Sequence, residues 1–266
     1  MKIIRTIIAC PIILLFTTIT WAQTADDIIN RYVKATGRKD GLKGVNTILM
    51  KRSAYNPDTG ITNYHTSYLK RPNMIRLERS TSTGEKTILA YDGKEAWRGS
   101  LDPATGSITK VRDIPPESPL FNILFKGTSF DNNFDGKFID YSKKGSSAEF
   151  LGKEMVDGKE MYHIKMVWED GGVVEYHFDV STGLIWKHWE KDERGRTHSS
   201  LYLDYRKAGN ILIPYSRINK GPLRDNPEGI IKEEVLEVKM NVPLNDSLFK
   251  KPVVKEKKME PKEAEK

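Results

Sequence analysis

The sequence predicts a mainly β protein, and three observations lead to that prediction. From Val45 onward, apolar residues recur at every second position, which is the spacing of strands with one buried face. Short segments rich in Asp, Gly, Asn and Ser separate these runs, and such segments favour tight hairpin turns. Helical spacing is confined to one stretch near the N-terminus and one near the middle of the chain. This order of strand, short turn and strand predicts an antiparallel meander.

The alternation is clearest in the stretches around residues 75, 162, 174 and 236. In each, charged or polar residues occupy the positions between the apolar ones, so one face of the strand is expected to be buried. The predicted buried positions are Ile75 and Leu77; Tyr162, Ile164, Met166 and Trp168; Val174, Tyr176, Phe178 and Val180; and Leu236, Val238, Met240 and Val242.

A repeated tetrapeptide, Asp-Gly-Lys-Glu, occurs at residues 92–95 and again at 157–160. An acid beside a base raises the question of a duplicated catalytic site. Asp-Gly, however, supplies the positive φ angles that tight hairpins require. We therefore interpret both copies as hairpin turns whose lysine and glutamate side chains are solvated.

The N-terminal helix is predicted between Thr24, which can cap it, and Gly37, which ends it. Asp26 and Asp27 lie in the first turn, where a negative charge is favourable. Its apolar face is predicted to contain Ala25, Ile28, Ile29, Tyr32, Val33 and Thr36.

A second helix is predicted within "PPESPLFNILFKGTSF", with Ser118 as its cap, Pro119 at its first position and Gly127 at its end. It is apolar nearly all round, because its residues include Leu120, Phe121, Ile123, Leu124 and Phe125. Such a helix needs apolar surface on two sides. It is either an ordinary core helix or a lid whose second side meets an apolar ligand.

The two ends of the chain are predicted to lie outside the folded domain. Residues 1–22 have a basic start, an apolar run and small residues near Trp21, which indicates a cleaved signal peptide. Lipid attachment at Cys10 is the alternative, although most of the apolar run follows that cysteine. Residues 250–266 are rich in Lys and Glu and are expected to form a disordered tail. We therefore expect one domain over residues 23–249, without disulfides, because Cys10 is the only cysteine.

No catalytic or cofactor motif is present in the sequence. His163 and His177 fall on one predicted sheet face with His188 across the next hairpin, but nothing fixes their spacing to a ligand geometry. We therefore expect no metal site, no cofactor and no enzymatic activity. The basic charge lies partly in the C-terminal tail, so no nucleic-acid partner is expected either.

The segments "SYLKRPNMIRLE", "TILAYDGKEAWRGSLDPATG" and "SPLFNILFKG", in this order, resemble the LolA-like outer-membrane lipoprotein carrier family. The likeness is most specific over residues 60–127 and looser through "VVEYHFDVSTGLIWKH". The residues that match the family pattern are Lys70, Arg71, Pro72, Asn73, Asp92, Gly93, Lys94, Trp97 and Pro119. The resemblance implies a half-open antiparallel β-barrel of the LolA/LolB type, with an N-terminal helix and an apolar lid helix, around a cavity for acyl chains.

The resemblance also implies candidate site residues. By position, Arg71 would bind the lid backbone and hold the empty cavity shut, whereas without the resemblance it would simply begin an edge strand. The residues expected to line the cavity, the core or the lid are Arg71, Ile75, Leu77, Leu89, Tyr91, Trp97, Leu120, Phe121, Leu124, Phe125, Tyr162, Ile164, Tyr176 and Phe178.

The function implied is that of a periplasmic, monomeric lipoprotein-sorting-like protein that binds lipid or lipoprotein acyl chains non-covalently. Its expected protein partners are inner- or outer-membrane lipoprotein-trafficking proteins. Two alternatives stay open. One is an envelope regulatory or scaffold protein that uses the same fold to bind another protein, and the other is an exported enzyme acting on lipid or glycan.

Overall fold

The structure is a computed structural model that describes residues 23–102, 104–118, 121, 136–223 and 226–253. The predicted signal peptide and residues 254–266 of the predicted tail lie outside this range. Within it, no helix is long and apolar enough to cross a membrane.

The described chain contains two helices and thirteen strands. The helices are α1 (Ala25–Ala35) and α2 (Arg38–Gly41). The strands are β1 (Thr47–Tyr55), β2 (Thr62–Lys70), β3 (Met74–Thr81), β4 (Lys86–Tyr91), β5 (Ala96–Leu101), β6 (Ile108–Ile114), β7 (Ser147–Val156), β8 (Lys159–Val167), β9 (Val173–Asp179), β10 (Ile185–Lys191), β11 (Thr197–Ala208), β12 (Ile211–Gly221) and β13 (Gly229–Met240). Short 3-10 helices lie at Tyr141–Lys144 and Asp246–Leu248.

All strands form one antiparallel sheet in the order β6-β5-β4-β3-β2-β1-β13-β12-β11-β10-β9-β8-β7. The first and last strands therefore meet in the middle of the sheet, where β1 pairs with β13. In the described part of the chain, β6 and β7 remain as two separate edges. The predicted mainly β, half-open architecture is confirmed.

The two Asp-Gly-Lys-Glu repeats form the hairpin turns that the sequence predicts. Between β7 and β8, Asp157 and Gly158 both have positive φ angles, 51° and 78°, as a two-residue hairpin turn requires. Between β4 and β5, the Asp92 carboxylate accepts backbone hydrogen bonds from Lys94 and Glu95 at 2.9 and 2.8 Å. A Cβ atom at Gly93 would lie only 2.7 Å from Oδ1 of Asn73, so this turn and the turn before β3 approach closely.

Helix α1 begins as predicted, because Thr24 and Asp27 form a capping box. Its residues Ile28 and Ile29 are each 1% exposed and lie in one core cluster with Tyr176 and Phe178 of β9. We call the sheet face that carries these two aromatic residues the inner face, and the opposite one the outer face.

Within the described sheet, register shifts occur in four strand pairs, one of them β5–β6 between Arg98 and Ser100, and they change which residues share a face. β10 shifts between Ile185 and Lys187, and β7 shifts between Phe150 and Gly152. On β13, Val235 pairs with Arg52 but Glu237 pairs with Lys51, which leaves Leu236 as the extra residue. The prediction that Leu236 is buried was therefore wrong, and its side chain is 55% exposed.

Candidate ligand cavity

A cavity of about 340 Å³ lies on the inner face, between the sheet and helix α1. Strands β9 to β13 and β1 form its wall, and residues 136–139 cover it together with α1. Its volume falls at the lower end of the range of about 300–1,000 Å³ that small-molecule sites occupy. The space is therefore large enough for a small ligand or for part of a longer one.

One end of the cavity is apolar. Helix α1 contributes Tyr32 and Val33, and the sheet contributes Met50, Ile185 and Ile213. All five side chains are buried, so this part of the wall is backed by packed core. It suits a hydrocarbon group, because apolar area removed from water is the main source of binding free energy there.

Phe138 joins the cover to the wall through aromatic contacts. Its ring centroid lies 5.2 Å from that of Tyr32 and 5.2 Å from that of Tyr176, both in edge-to-face geometry. It also contacts Trp168 at 5.6 Å. Pairs of this kind add about 0.5–1.5 kcal/mol each to simple burial, so residues 136–139 are firmly attached to the sheet.

The other end of the cavity is charged. Arg217 on β12 donates from Nε to Oε2 of Glu233 on β13 at 3.1 Å, and its Nη2 makes a second, shorter bond to the same oxygen. The remaining oxygen of Glu233 accepts from Asn219 at 2.9 Å, and Asn219 in turn accepts from Ser200 at 2.6 Å. This chain of bonds holds two opposite charges at fixed positions beside an apolar wall.

The charges of this pair stabilise each other against burial. Burial raises the pKa of Glu233, but the neighbouring Arg217 guanidinium outweighs it and holds that pKa below its ordinary value. Burial alone would lower the pKa of Arg217, but the Glu233 carboxylate more than compensates, so the pKa of Arg217 is raised. Both groups are therefore ionised at neutral pH.

His188 and Tyr202 form a neutral pair next to these charges. Burial, reinforced by the positive charges of Arg217 and Lys137, lowers the pKa of His188 to about 4. Burial raises the pKa of Tyr202 to about 12. The Tyr202 hydroxyl therefore keeps its proton, and its oxygen is hydrogen-bonded to Nδ1 of His188 at 2.8 Å.

Lys137, in the cover, also lines this end of the cavity. Burial lowers its pKa to about 8, although Glu190 partly opposes that shift. Its ammonium group lies 4.7 Å from the ring centroid of Trp168, which favours the charged form. The cations in the described lining are thus Lys137, Arg217, Arg38 and Arg52, and the carboxylates are those of Glu190, Glu233 and Glu234.

The strand register places most of the predicted cavity residues on the inner face. Paired residues share a face, and the pairing series continues from β9 through β13 and β1 to β6. The predicted residues on that face are Ile75, Leu77, Leu89, Tyr91, Tyr162, Ile164, Tyr176 and Phe178. Of these, Tyr176 lines the cavity, whereas Tyr162, Ile164 and Phe178 lie in the packed core beside it.

In the N-terminal half of the sheet, Leu89 and Tyr91 are only half-buried on the inner face. Phe121 is buried against them, with its ring 5.6 Å from that of Tyr91. The backbone N–H of Phe121 is bound by Ser118, the predicted cap, at 3.1 Å. The other predicted lid residues, Leu120, Leu124 and Phe125, lie outside the described residues.

Trp97 lies on the other face of the sheet. Trp97 pairs with Ala90 of β4. Leu89 and Tyr91 face inward, so Ala90 between them faces outward, and Trp97 lies with it on the outer face. It is completely buried there in a separate core cluster, and its Nε1 donates to the carbonyl of Phe249 at 2.8 Å. It is a core residue, as one part of the prediction allowed, but it does not face the inner cavity.

Arg71 makes a described contact that differs from the one implied by the family. Its Nε donates to the carbonyl of Val45, between α2 and β1, at 2.8 Å. Most of the predicted lid, residues 122–135, lies outside the described residues. A role for Arg71 in closing the lid therefore stays a prediction.

Sequence reasoning missed the charged end of the cavity. Arg217 and Glu233 lie on neighbouring strands 16 residues apart, and each has polar residues next to it in the sequence, as solvated positions do. His188 was expected beside His163 and His177, but the shift in β10 turns it inward to pair with Tyr176. Only the register of the assembled sheet brings these groups together.

No protein-family model matches the sequence, and no curated protein is similar to it in sequence. Solved structures, in contrast, are similar to it in fold. A LolA superfamily protein from Nitrosomonas europaea has a TM-score of 0.54 and 14% identity, over 86% of this chain and 99% of that one. The fold is LolA-like.

Two further structures agree with this result. A DUF1329 family protein from Desulfovibrio piger has a TM-score of 0.53 and 15% identity, over 84% of this chain and 95% of that one. A putative outer membrane lipoprotein-sorting protein domain from Vibrio parahaemolyticus has a TM-score of 0.50 and 11% identity, over 83% and 95%. The LolA-like fold suggested by the sequence motifs is thus confirmed, and at these identities the likeness concerns the fold alone.

Proposed function

We propose that the protein is an exported envelope protein that binds the acyl chain of a lipid or lipoprotein non-covalently in its inner cavity. The observation that carries this proposal is the two-ended cavity, with an apolar wall at one end and Arg217, Glu233 and Lys137 at the other. A hydrocarbon chain attached to a polar or anionic head group matches both ends.

The binding free energy would come mainly from the hydrocarbon. Each methylene removed from water contributes about 0.8 kcal/mol, so partial enclosure of a single chain is enough for useful affinity. The charged groups would add orientation, because the described lining carries four cations against three carboxylates and so favours an anionic or carbonyl-rich head group.

Binding is favoured over catalysis because the polar groups are already engaged. Nδ1 of His188 is occupied by the Tyr202 hydroxyl, and Glu233 is held by Arg217 and Asn219. A general base needs a free acceptor aimed at its substrate, and neither Nδ1 of His188 nor the Glu233 carboxylate is free in this arrangement.

We place the domain at residues 23–249, preceded by a signal peptide at 1–22 and active as a periplasmic monomer, with lipoprotein-trafficking proteins as its partners. Contacts with the domain extend slightly beyond residue 249, since Lys251 forms an ion pair with Asp113 at 2.7 Å. The LolA-like fold supports the envelope location by analogy.

The test is native mass spectrometry with lipid extraction on the protein purified from an exporting host. We expect a co-purified lipid, or uptake of an added diacyl lipopeptide, in the unaltered protein. Val235→Trp places an indole into the cavity wall and should abolish both. Leu236→Trp, at the next residue on the outer face, is the matched control and should retain binding.

A wild-type protein that carries no lipid and refuses the lipopeptide would overturn the proposal. The second candidate would then be a scaffold that binds another envelope protein. The packing of Tyr32, Phe138, Tyr176 and Phe178 on the inner face favours that candidate, because aromatic residues of the protein itself fill much of the space.

A further inference from the structure

We propose that the outer face of the sheet carries a binding site for one divalent transition-metal cation of the Zn²⁺ type, formed by Glu154, His163 and His177. One ligand atom from each residue lies within 4.8 Å of the others. Nδ1 of His163 is 3.0 Å from Oε1 of Glu154, and Nε2 of His177 contacts the same oxygen. Tetrahedral ligands at the usual zinc distances are about 3.3 Å apart, so small side-chain movements would complete the geometry.

The strand pairing builds this arrangement into the fold. His163 on β8 and His177 on β9 are direct partners in the antiparallel register, so their side chains leave the same face close together. Glu154 reaches that face because of the shift in β7. Phe150 pairs with the inward-facing Ile164, whereas Gly152, two positions on, pairs with the outward-facing His163, so Glu154, two positions further, also lies on the outer face.

The hydrogen-bonding pattern leaves a place for a cation at this position. Nε2 of His163 is 2.6 Å from a carboxylate oxygen of Glu175, and Nδ1 faces Glu154. Ionised carboxylates only accept hydrogen bonds, so both nitrogens of His163 need a positive partner or a proton. With Nε2–H donated to Glu175, a metal ion between Nδ1 and Glu154 satisfies the remaining contact.

Glu175 then has the role of a positioning residue. In metal sites, the second ring N–H of a ligating histidine usually binds a carboxylate, which fixes the tautomer and the ring orientation. Glu175 makes this bond to His163 and is not itself one of the three ligands. His177 is the third ligand, and this residue is only 5% exposed.

The donor set and the exposure select the metal. Two imidazole nitrogens and one carboxylate oxygen suit Zn²⁺ and related transition metals, whereas Mg²⁺ and Ca²⁺ prefer oxygen ligands alone. The Glu154 side chain is 45% exposed, which leaves a path for the ion and a place for a water ligand. Since Glu154 lies on the edge strand β7, the ion would also tie that strand to β8 and β9.

Trp189 provides a reporter beside the site. Its ring centroid lies 5.1 Å from that of His163 and 4.6 Å from that of His177. A paramagnetic ion such as Cu²⁺, bound by these histidines, would therefore quench the fluorescence of this tryptophan.

The first test is calorimetric titration with ZnCl₂ and, separately, MgCl₂. The protein is expressed from its full-length sequence, carries no polyhistidine tag and is treated with a chelator beforehand. We expect one zinc ion per chain and no binding of magnesium. His163→Gln and Glu154→Gln should each weaken zinc binding at least tenfold, and Glu175→Gln should weaken it about 10- to 100-fold.

His198→Gln is the matched control. His198 also faces a carboxylate, with 3.4 Å between its Nε2 and Asp192, but it belongs to no described group of three ligands. Its loss should leave zinc binding unchanged. Absence of zinc binding in the wild type, or equal binding in His163→Gln, Glu154→Gln and the control, would overturn the proposal.

The second test locates the ion by Cu²⁺ quenching of tryptophan fluorescence. Trp189→Phe should remove the quenched component and retain the stoichiometry of zinc binding. Quenching that persists in Trp189→Phe would place the ion elsewhere and would also overturn the proposal.

Discussion

The two halves of the inner face follow the same alternating pattern but are closed to different degrees. In the C-terminal half, Ile164, Met166 and Phe178 are completely buried beneath α1 and Phe138. In the N-terminal half, Leu69 and Ile75 are buried near the centre of the sheet, but Leu89 and Tyr91 towards the β6 edge are half-buried, with Phe121 packed against them. Period-two patterning therefore specifies which side of a strand is apolar, but the element above the strand decides whether that side becomes core or an accessible surface.

The candidate cavity lies on the packed side of this comparison, where the core meets the β12–β13 pair. Ile185 and Ile213 belong to the two large core clusters and also line the cavity. Beyond them, the side chains change from apolar to charged at Arg217 and Glu233. The apolar contacts between α1 and the sheet thus stop where the charged residues of the cavity begin.

The largest predicted effect compares truncations in the two halves. Ile164→Ala removes a fully buried side chain and should lower the free energy of unfolding by about 2–5 kcal/mol. Leu89→Ala, at a half-buried position, should cost about 1 kcal/mol. Urea denaturation followed by circular dichroism measures both. Equal losses would show that the N-terminal half is as tightly covered as the C-terminal half.

The second predicted effect is a pH dependence from the packed half. The pKa of His188 is about 4 in the folded protein, because of burial and the charges of Arg217 and Lys137, and about 6.5 when unfolded. Between these values the unfolded chain binds the proton and the folded chain does not, so stability falls as the pH decreases. From pH 7 to pH 5 this histidine should remove about 2 kcal/mol.

His188→Gln should abolish that part of the pH dependence, whereas His198→Gln, at an exposed position, should keep it. The groups that face His188 are Tyr176 on β9, Tyr202 on β11, Arg217 on β12 and Lys137 in the cover. None of these has an ordinary pKa between 5 and 7. Burial also lowers the pKa of His177, so the part of the slope that is lost in His188→Gln is the part that reports on His188. An unchanged slope in His188→Gln would show that this side of the cavity is open to water.

Much of the fold was predictable because local patterns specify it. The alternation identified the inner residues of β3, β8 and β9, Asp-Gly marked two hairpins, and Thr24 and Gly37 marked the ends of α1. The candidate sites were not predictable in this way. Arg217 and Glu233 meet only because β12 and β13 are paired, and Glu154 meets the two histidines only because of a register shift.

The position of Trp97 could not be predicted from local sequence either. It follows Tyr91 across a turn of four residues, and nothing local indicates that its strand position pairs with Ala90 rather than with Tyr91. Its burial depends on Phe249, 152 residues further along the chain. A contact of that range depends on the whole sheet, and no local spacing indicates it.

The smallest predicted effect concerns the outer face of the less covered half. Here residues 244–251 lie across the sheet, held by Arg76 to the carbonyl of Leu248 at 2.8 Å, by Lys70 to Asp246 at 2.6 Å, and by Trp97 to the carbonyl of Phe249. Trp97→Phe keeps an aromatic ring but leaves that buried carbonyl without its donor. The expected loss is about 1–2 kcal/mol in the free energy of unfolding.

Tyr91→Phe is the matched control on the inner face, where the hydroxyl donates to the carbonyl of Gly93 at 2.9 Å in a half-buried position. Water can replace that bond, so the loss should be about 0.5 kcal/mol. Trp97→Phe should also speed tryptic cleavage at Lys250 and Lys251, because the segment that carries them loses a contact. If the two variants lose equal stability and the cleavage rate is unchanged, the C-terminal segment does not close the outer face, and the N-terminal half is loosely covered on both sides.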